Sequence, residues 1–342
     1  MAVVDDVGTY GIHIPPSRGT VPGSVSGPRA QGARRGARCP VGGARRQARG
    51  GTWVAARRHT LWRMCGRYAA SARPDELIEA FDVDEDHTAD PARSILKNPQ
   101  SPPPGEPDWN MAPSKQAPVV LTRHPRGQDD DEAAATRQLR LLTWGLVPSW
   151  AEDVTMGLRM TNARAESVLG KGAFAKAALS RRCIVPADGW YEWQVSPTAV
   201  DAKGKPRKQP FFIHRADGDP VGFAGLYEFW RDRSLPESDP GAWLTTFTII
   251  TTAADPDMDR IHDRQPLVLD REQWERWLDP DEKDADYVQG VLEFTRPGRF
   301  EAYPVGRAVG ATRNNGPALV EPVPASELEG VVDPMTGEVL GA

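Results

Sequence analysis

Met64-Cys65-Gly66-Arg67-Tyr68 puts a cysteine directly after a methionine. If the working chain starts at Met64, removal of that residue leaves Cys65 with a free α-amine beside its thiol. Such a 1,2-aminothiol condenses with an aldehyde to an imine, and the thiol then closes a five-membered thiazolidine ring. No internal cysteine has that option. An α-amine with a reference pKa of about 7.7–8.0 keeps an appreciable neutral fraction near pH 7, which a lysine does not. Imine formation expels water, so the chemistry also needs a proton carrier that works near neutrality. His262, in IHDRQPLVLD, has an ordinary pKa of about 6.5 that suits it. Glu192 stands among Trp190, Tyr191 and Trp193, an aromatic setting expected to raise a carboxyl pKa and let it act as acid and base. Asn162, in TNARAE, does not titrate and is suited to orienting a bound group by hydrogen bonding.

Taken singly, each residue also fits a structural role. Cys65 could be a small buried apolar group, His262 a structural histidine, and Glu192 one half of a surface ion pair. Cys183, in an apolar run, reads as core, and Cys39 as an inert thiol. Three cysteines at unrelated spacings give neither a disulfide framework nor a zinc-ligand pattern, so no metal or other cofactor is expected. A reduced cytoplasmic setting is the default.

The elements that must hold these residues read mostly as strands. Pro74 falls in the first turn of a short helix whose apolar face is Leu77, Ile78 and Phe81. Residues 84–109 read as a polar, Pro-rich insertion. A strand over 117–122 and a second over 139–150 flank the acidic loop Asp129–Glu132. Residues 161–179 read as loop then helix, and 181–194 as one strand with Ile184 and Val185 in the core. PFFIHR and PVGFAGLYEFW suggest a hairpin-like pair. LTTFTIITTAA is the most β-branched run and suits a central strand. Asp270 and Gln273 have the spacing of a capping box at the start of DREQWERWL. The class expected is α+β, a mainly β single domain over 64–325 with short peripheral helices, followed by a tail over 326–342.

Charge divides the chain. Residues 1–63 hold eleven Arg and no Lys against Asp5 and Asp6, a balance of +9, so the remainder carries −14 of the net −5. An acidic body argues against non-specific coating of nucleic acid, and any such binding must use a local basic groove. The first 63 residues are rich in Gly, Ala, Arg and Pro, have no periodicity, and are expected to be disordered. We read them as a start placed upstream of Met64, or as a segment clipped before Cys65. No apolar run reaches the length of a membrane span.

MCGRY, NMAP, WGLVPSW, NARAE, CIVPADGWYEW, QPFFIHRADG, TTAA and IHDRQPLVL follow one another across residues 64–323. Together they closely resemble the SOS response-associated peptidase family, whose members crosslink themselves to abasic sites in single-stranded DNA. The resemblance implies a thiazolidine bond from Cys65 to the abasic sugar, with Asn162, Glu192 and His262 lining the pocket. It implies phosphate contacts from Arg67 and Arg164, and apolar residues flanking the lesion at Pro113 and Trp150. Trp150 also suits stacking on neighbouring bases, and Arg307, Arg313, Asn314 and Asn315 are further candidates for the same groove. The chain departs from the family's pattern at Gln265, where a basic residue or methionine is expected. The partner implied is single-stranded DNA with abasic sites, handled by a monomer near the nucleoid, beside replication-fork proteins. Two other readings stay open: a cysteine peptidase using Cys65, His262 and Glu192 or Asn162, and a reader that binds modified or single-stranded DNA without bonding to it.

Overall fold

The β-branched run expected to be central is the hub of the fold. The computed structural model describes residues 66–125, 134–170 and 172–341. Its strands are β1 (Tyr68–Ala70), β2 (Glu85–His87), β3 (Asp108–Met111), β4 (Gln116–Arg123), β5 (Thr136–Trp144), β6 (Asn162–Arg164), β7 (Arg182–Ala187) and β8 (Gly189–Val200). They continue with β9 (Pro206–Arg215), β10 (Val221–Arg231), β11 (Trp243–Ala253), β12 (Arg264–Pro266), β13 (Val268–Leu269), β14 (Phe300–Pro304), β15 (Val331–Val332) and β16 (Val339–Leu340). The helices are α1 (Pro74–Ala80), α2 (Ala175–Ser180), α3 (Arg271–Leu278) and α4 (Ala285–Leu292).

β11 runs antiparallel to β10, which continues through β7 and β4 to β5. β5 then meets β11 again in parallel, Thr143 opposite Thr246, so five strands close on themselves and leave no bare edge among them. β6 and β12 hang from the far end of β11, and β2 from β5. A second antiparallel sheet, in the order β14-β9-β8-β1-β3, packs against this barrel.

Strand alternation divides the core between two faces. Val119, Leu121, Cys183, Val185 and Ile249 share one cluster with Tyr68, Trp190, Phe211 and Phe300 of the second sheet. Their sequence neighbours Val120, Ile184 and Ile250 point the other way, into a cluster with Leu77, Phe81, Trp274 and Trp277 of the helices. Aromatic contacts join the layers: Tyr68 lies 5.1 Å from Trp144, and Phe81 stacks on Trp274 at 4.5 Å.

Several expectations hold. α1 begins at Pro74 with Leu77 and Phe81 buried, Cys183 is in the core, and Gln273 caps the Asp270 N–H at 2.9 Å. Others change. The run 181–194 is two strands in different sheets, split at Asp188, whose N–H donates to Ala69 and whose carboxylate accepts the Ser71 N–H. β9 and β10 are not a hairpin, because β9 pairs with β8 and β14 while β10 joins the barrel. The strand ending in WGLVPSW stops at Trp144, since Gly145 takes φ +126. The insertion contributes β2, with β3 beginning at Asp108, and α4 had no signal strong enough to be expected. Beyond residue 325, Leu328 and Val331 are buried in the main core, so the segment read as a tail packs onto the domain. The acidic loop, Cys39 and the rest of 1–63 lie outside the described residues.

Candidate functional site

Cys65 also lies outside the described residues, which begin at Gly66. The chain just after it is firmly placed. The Arg67 carbonyl accepts the Tyr191 N–H at 3.0 Å, and Tyr68 faces Trp190, so β1 is an inner strand between β8 and β3. Glu192 follows on β8, opposite Phe211, and is 2% exposed. Alternation puts Gln194 on the same face as Glu192. The Gln194 amide donates to the carbonyls of Arg260, at 3.1 Å, and Val332, and accepts the Val332 N–H. It therefore moors the turn before His262 to the strand that carries Glu192.

That turn is internally braced. The Asp255 carbonyl accepts the N–H groups of Met258 and Asp259, Gln265 accepts the Asp255 N–H at 2.9 Å, and the His262 N–H donates to Met258. The His262 ring is mostly buried, 11% exposed. Its Nδ1 lies 3.1 Å from the Arg264 main-chain N–H, a fixed donor. The same nitrogen lies 3.3 Å from the Arg264 carbonyl and 3.3 Å from the Asp263 carboxylate, so it accepts or donates according to the tautomer.

β6 brings in the third motif. Asn162 lies opposite Ile249 and Arg164 opposite Thr251, while on the other side of β11 Ala253 faces Arg264. NARAE, TTAA and IHDRQP are thus three adjacent strands. Asn162 is set by its predecessor: the Thr161 carbonyl accepts the indole N–H of buried Trp144 at 2.8 Å and the Ile249 N–H. Arg264 fastens the group from outside by gripping both Glu166 oxygens and the Thr251 carbonyl. Its guanidinium holds the Glu166 carboxyl below the usual carboxylate range.

The expected phosphate contacts divide. Arg164 is exposed beside Asn162. Arg67 is turned inward, donating to Asn110 Oδ1 at 2.7 Å, to the Val309 carbonyl at 2.8 Å and to Gly310. Asn110, fully buried, directs its amide at the carbonyls of Val309, Ala311 and Asn314. Arg67 and Asn110 thereby hold the loop that presents exposed Arg307 and Arg313. Asn314 and Asn315 brace the same loop, through Ala308 and through Trp109 and Pro107. Trp150 is 59% exposed. It stands on a loop closed by Gly145 against Gly157, where a Cβ on either glycine would sit 2.6 Å from the other's carbonyl oxygen. Pro113 is half-buried, and the next residue, Ser114, donates its N–H to the Trp144 carbonyl.

Asn110, Gln194, Glu166 and Arg264 are the positioning residues that sequence reasoning did not pick out. All four lie within or beside the quoted motifs, but their partners are distant in the chain. Among the described residues, no group of three or more His, Cys, Asp or Glu is placed to hold a metal ion.

Comparisons with known proteins show what the chain resembles. The model of a family described as SOS response associated peptidase (SRAP) matches residues 64–312. The abasic site processing protein YoqW of Bacillus subtilis is 36% identical over 260 residues, 75% of this chain and 99% of its own. The protein YedK of Escherichia coli, with the same descriptive name, is 31% identical and covers 76% of this chain and all of its own. The abasic site processing protein HMCES of Gallus gallus is 32% identical over 64% of this chain and 66% of its own. In fold, a crystal structure of a Bacteroides thetaiotaomicron protein superposes with a TM-score of 0.56 at 21% identity, over 76% of this chain and all of that one.

Proposed function

The chain belongs to the SOS response associated peptidase family, and from that membership we propose that it processes abasic sites in single-stranded DNA by bonding to them through Cys65. The observation that carries the reading is the meeting of Asn162, Arg164 and the His262 turn on adjacent strands β6, β11 and β12. Gln194 ties the same turn to the strand of Glu192. Covalent geometry limits two residues to about 7 Å, and Cys65 is two residues before Arg67, whose carbonyl is bonded beside Glu192.

In this reading the reactive species begins at Cys65. An abasic deoxyribose opens to an aldehyde, and the Cys65 amine adds to its carbonyl carbon. The carbonyl oxygen leaves as water, giving an imine. The thiol sulfur then adds to the imine carbon, the thiol proton passes to nitrogen, and the thiazolidine closes. One water is released and nothing is oxidised or reduced. His262 supplies the proton to the departing oxygen, Glu192 relays protons to and from the attacking groups, and Asn162 orients the sugar. Arg164 grips a flanking phosphate with its forked donors, and Trp150 stacks on a neighbouring base. Arg67 acts one step back, by fixing the loop of Arg307 and Arg313.

The test is Cys65→Ser in a protein beginning at residue 65. The amine remains, so borohydride traps an imine with abasic DNA, but no heat-stable adduct forms. A Cys65→Ala protein that still gives a heat-stable adduct overturns the reading.

A further inference from the structure

The segment matched by the family model ends at residue 312, and beyond it β15 and β16 form a hairpin closed by the turn 333–338. We propose that this hairpin positions His262, with Arg260 as the residue through which it acts. The inference rests on the reading of His262 as proton donor in the Cys65 reaction, and it makes the C-terminal segment part of the machinery of that reaction.

The hairpin is itself firmly seated. Leu328 and Val331 are buried in the same cluster as Met258 and Ile261, the apolar residues of the His262 turn. Ser196 of β8 donates its hydroxyl to the Gly330 carbonyl at 2.6 Å, and Glu329 pairs with Arg207 of β9. At Gly330 the backbone takes φ +61, and a Cβ there would lie 2.5 Å from Ser196 Oγ, so the approach of the hairpin to β8 depends on a glycine.

Two links run from the hairpin to the turn. The first passes through Gln194, whose amide nitrogen has two N–H groups and whose oxygen accepts. The Val332 carbonyl takes one of those N–H groups at 2.8 Å, and the Val332 N–H donates to Gln194 Oε1 at 2.8 Å. This pair of bonds fixes the amide plane, which otherwise turns in a broad torsional well. The amide nitrogen is thereby aimed at the Arg260 carbonyl, 3.1 Å away. The second link is the Arg260 side chain, whose guanidinium donates to the Pro334 carbonyl at 2.5 Å and lies beside Gly337. Residue 260 is thus held by main chain and side chain, and His262 follows two residues on. Bonds from the Ile261 and His262 N–H groups to the Met258 carbonyl set the shape of the turn. The hairpin sets where that turn stands against β8, the strand of Glu192.

The test uses protein beginning at Cys65 and running to residue 342, with a single-stranded oligonucleotide carrying one abasic site. Formation of the heat-stable adduct is followed under single-turnover conditions over a range of protein concentrations, which separates the limiting rate from the half-saturating concentration. Binding of a strand with a tetrahydrofuran abasic analogue, which binds without bonding, is measured beside it. Arg260 is exposed, so Arg260→Ala should fold, and a thermal melt checks it. Its limiting rate is expected to fall by about 10-fold, within the roughly 100-fold that a displacement of about 1 Å can cost. The half-saturating concentration and the analogue affinity are expected to stay within about twofold of the parent, as for a group acting on the chemical step. Arg260→Lys keeps a donor for Pro334 and is expected to recover most of the rate. Gly337→Ala strains the hairpin turn at φ +78 and is expected to slow the reaction from the other side of the same contact. Combining it with Arg260→Ala should then add little, because the two share one contact. An unchanged limiting rate in Arg260→Ala overturns the proposal and leaves the abasic-site reading standing. A loss confined to affinity makes Arg260 a strand contact and overturns it too, as does an Arg260→Lys protein as slow as Arg260→Ala. A parent protein that forms no adduct overturns the abasic-site reading and this inference with it.

Discussion

Replacing Asn110 with alanine tests whether the loop of Arg307 and Arg313 is built for binding. The Asn110 side chain is fully buried. Its amide serves carbonyls of Val309, Ala311 and Asn314, and its oxygen accepts Arg67 at 2.7 Å. Two N–H groups can make two full bonds, each worth about 1 kcal/mol net, and a bond from a charged donor adds about 1.5–3 kcal/mol. Arg67 keeps its contact with Val309 in the variant, which trims the total to about 3 kcal/mol. At about 2–4 °C per kcal/mol for a domain of 150–250 residues, the melting temperature should fall by about 6–12 °C. Binding of single-stranded DNA should weaken as well, because Arg307 and Arg313 keep their charge but lose their fixed positions. The assay is a thermal melt beside anisotropy titrations at fixed salt. A variant within about 2 °C of the parent, with unchanged affinity, refutes the claim that Asn110 holds this loop.

Three further outcomes follow from other parts of the structure. Trp150→Ala removes a ring that is 59% exposed, so stability should stay within about 0.5 kcal/mol. Single-strand affinity should drop by about 1–3 kcal/mol, the value of one stacked base. Gly145→Ala places a Cβ at φ +126 and 2.6 Å from the Gly157 carbonyl oxygen. A backbone clash at a strained φ costs about 1–3 kcal/mol or more, read as a lower melting temperature and loosened Trp150 fluorescence. For Asp188, burial pushes the carboxyl above its ordinary value, with the Ser71 N–H pulling the other way. The folded state then binds the proton more tightly than the unfolded one. The carboxyl therefore favours folding most below its unfolded pKa, and that advantage is lost as pH rises through the folded value. Asp188→Asn, which still accepts from Ser71, should raise the melting temperature at pH 7–8 and leave it unchanged below about pH 4. A pH series of melts on both proteins decides it.

How much of this was legible in the sequence depended on the range of the interaction. Local signals were sound. Pro74 marks the start of α1, Asp270 and Gln273 form the expected reciprocal cap, and the β-branched run of β11 is the hub. Strand partners were not legible, because period-2 alternation says which face a residue takes and nothing about the neighbouring strand. So the run over 181–194 concealed a crossing between two sheets at Asp188, and β9 and β10 read as a hairpin-like pair. The site shows the same division. Asn162, Arg164 and His262 stand out by residue type and motif, and they lie on or beside the adjacent strands β6, β11 and β12. Arg67, read as a phosphate contact, donates to Asn110 and to the carbonyls of Val309 and Gly310. Those partners lie 43 to 243 positions away in the chain, beyond what spacing can reveal.

The most direct measurement is the intact mass of the product formed when protein beginning at Cys65 is incubated with an abasic-site oligonucleotide and then heated. The account expects one species at the summed mass of protein and oligonucleotide less one water, absent with Cys65→Ala and absent with undamaged strand. Free protein as the sole species after heating, or the same adduct from Cys65→Ala, contradicts it.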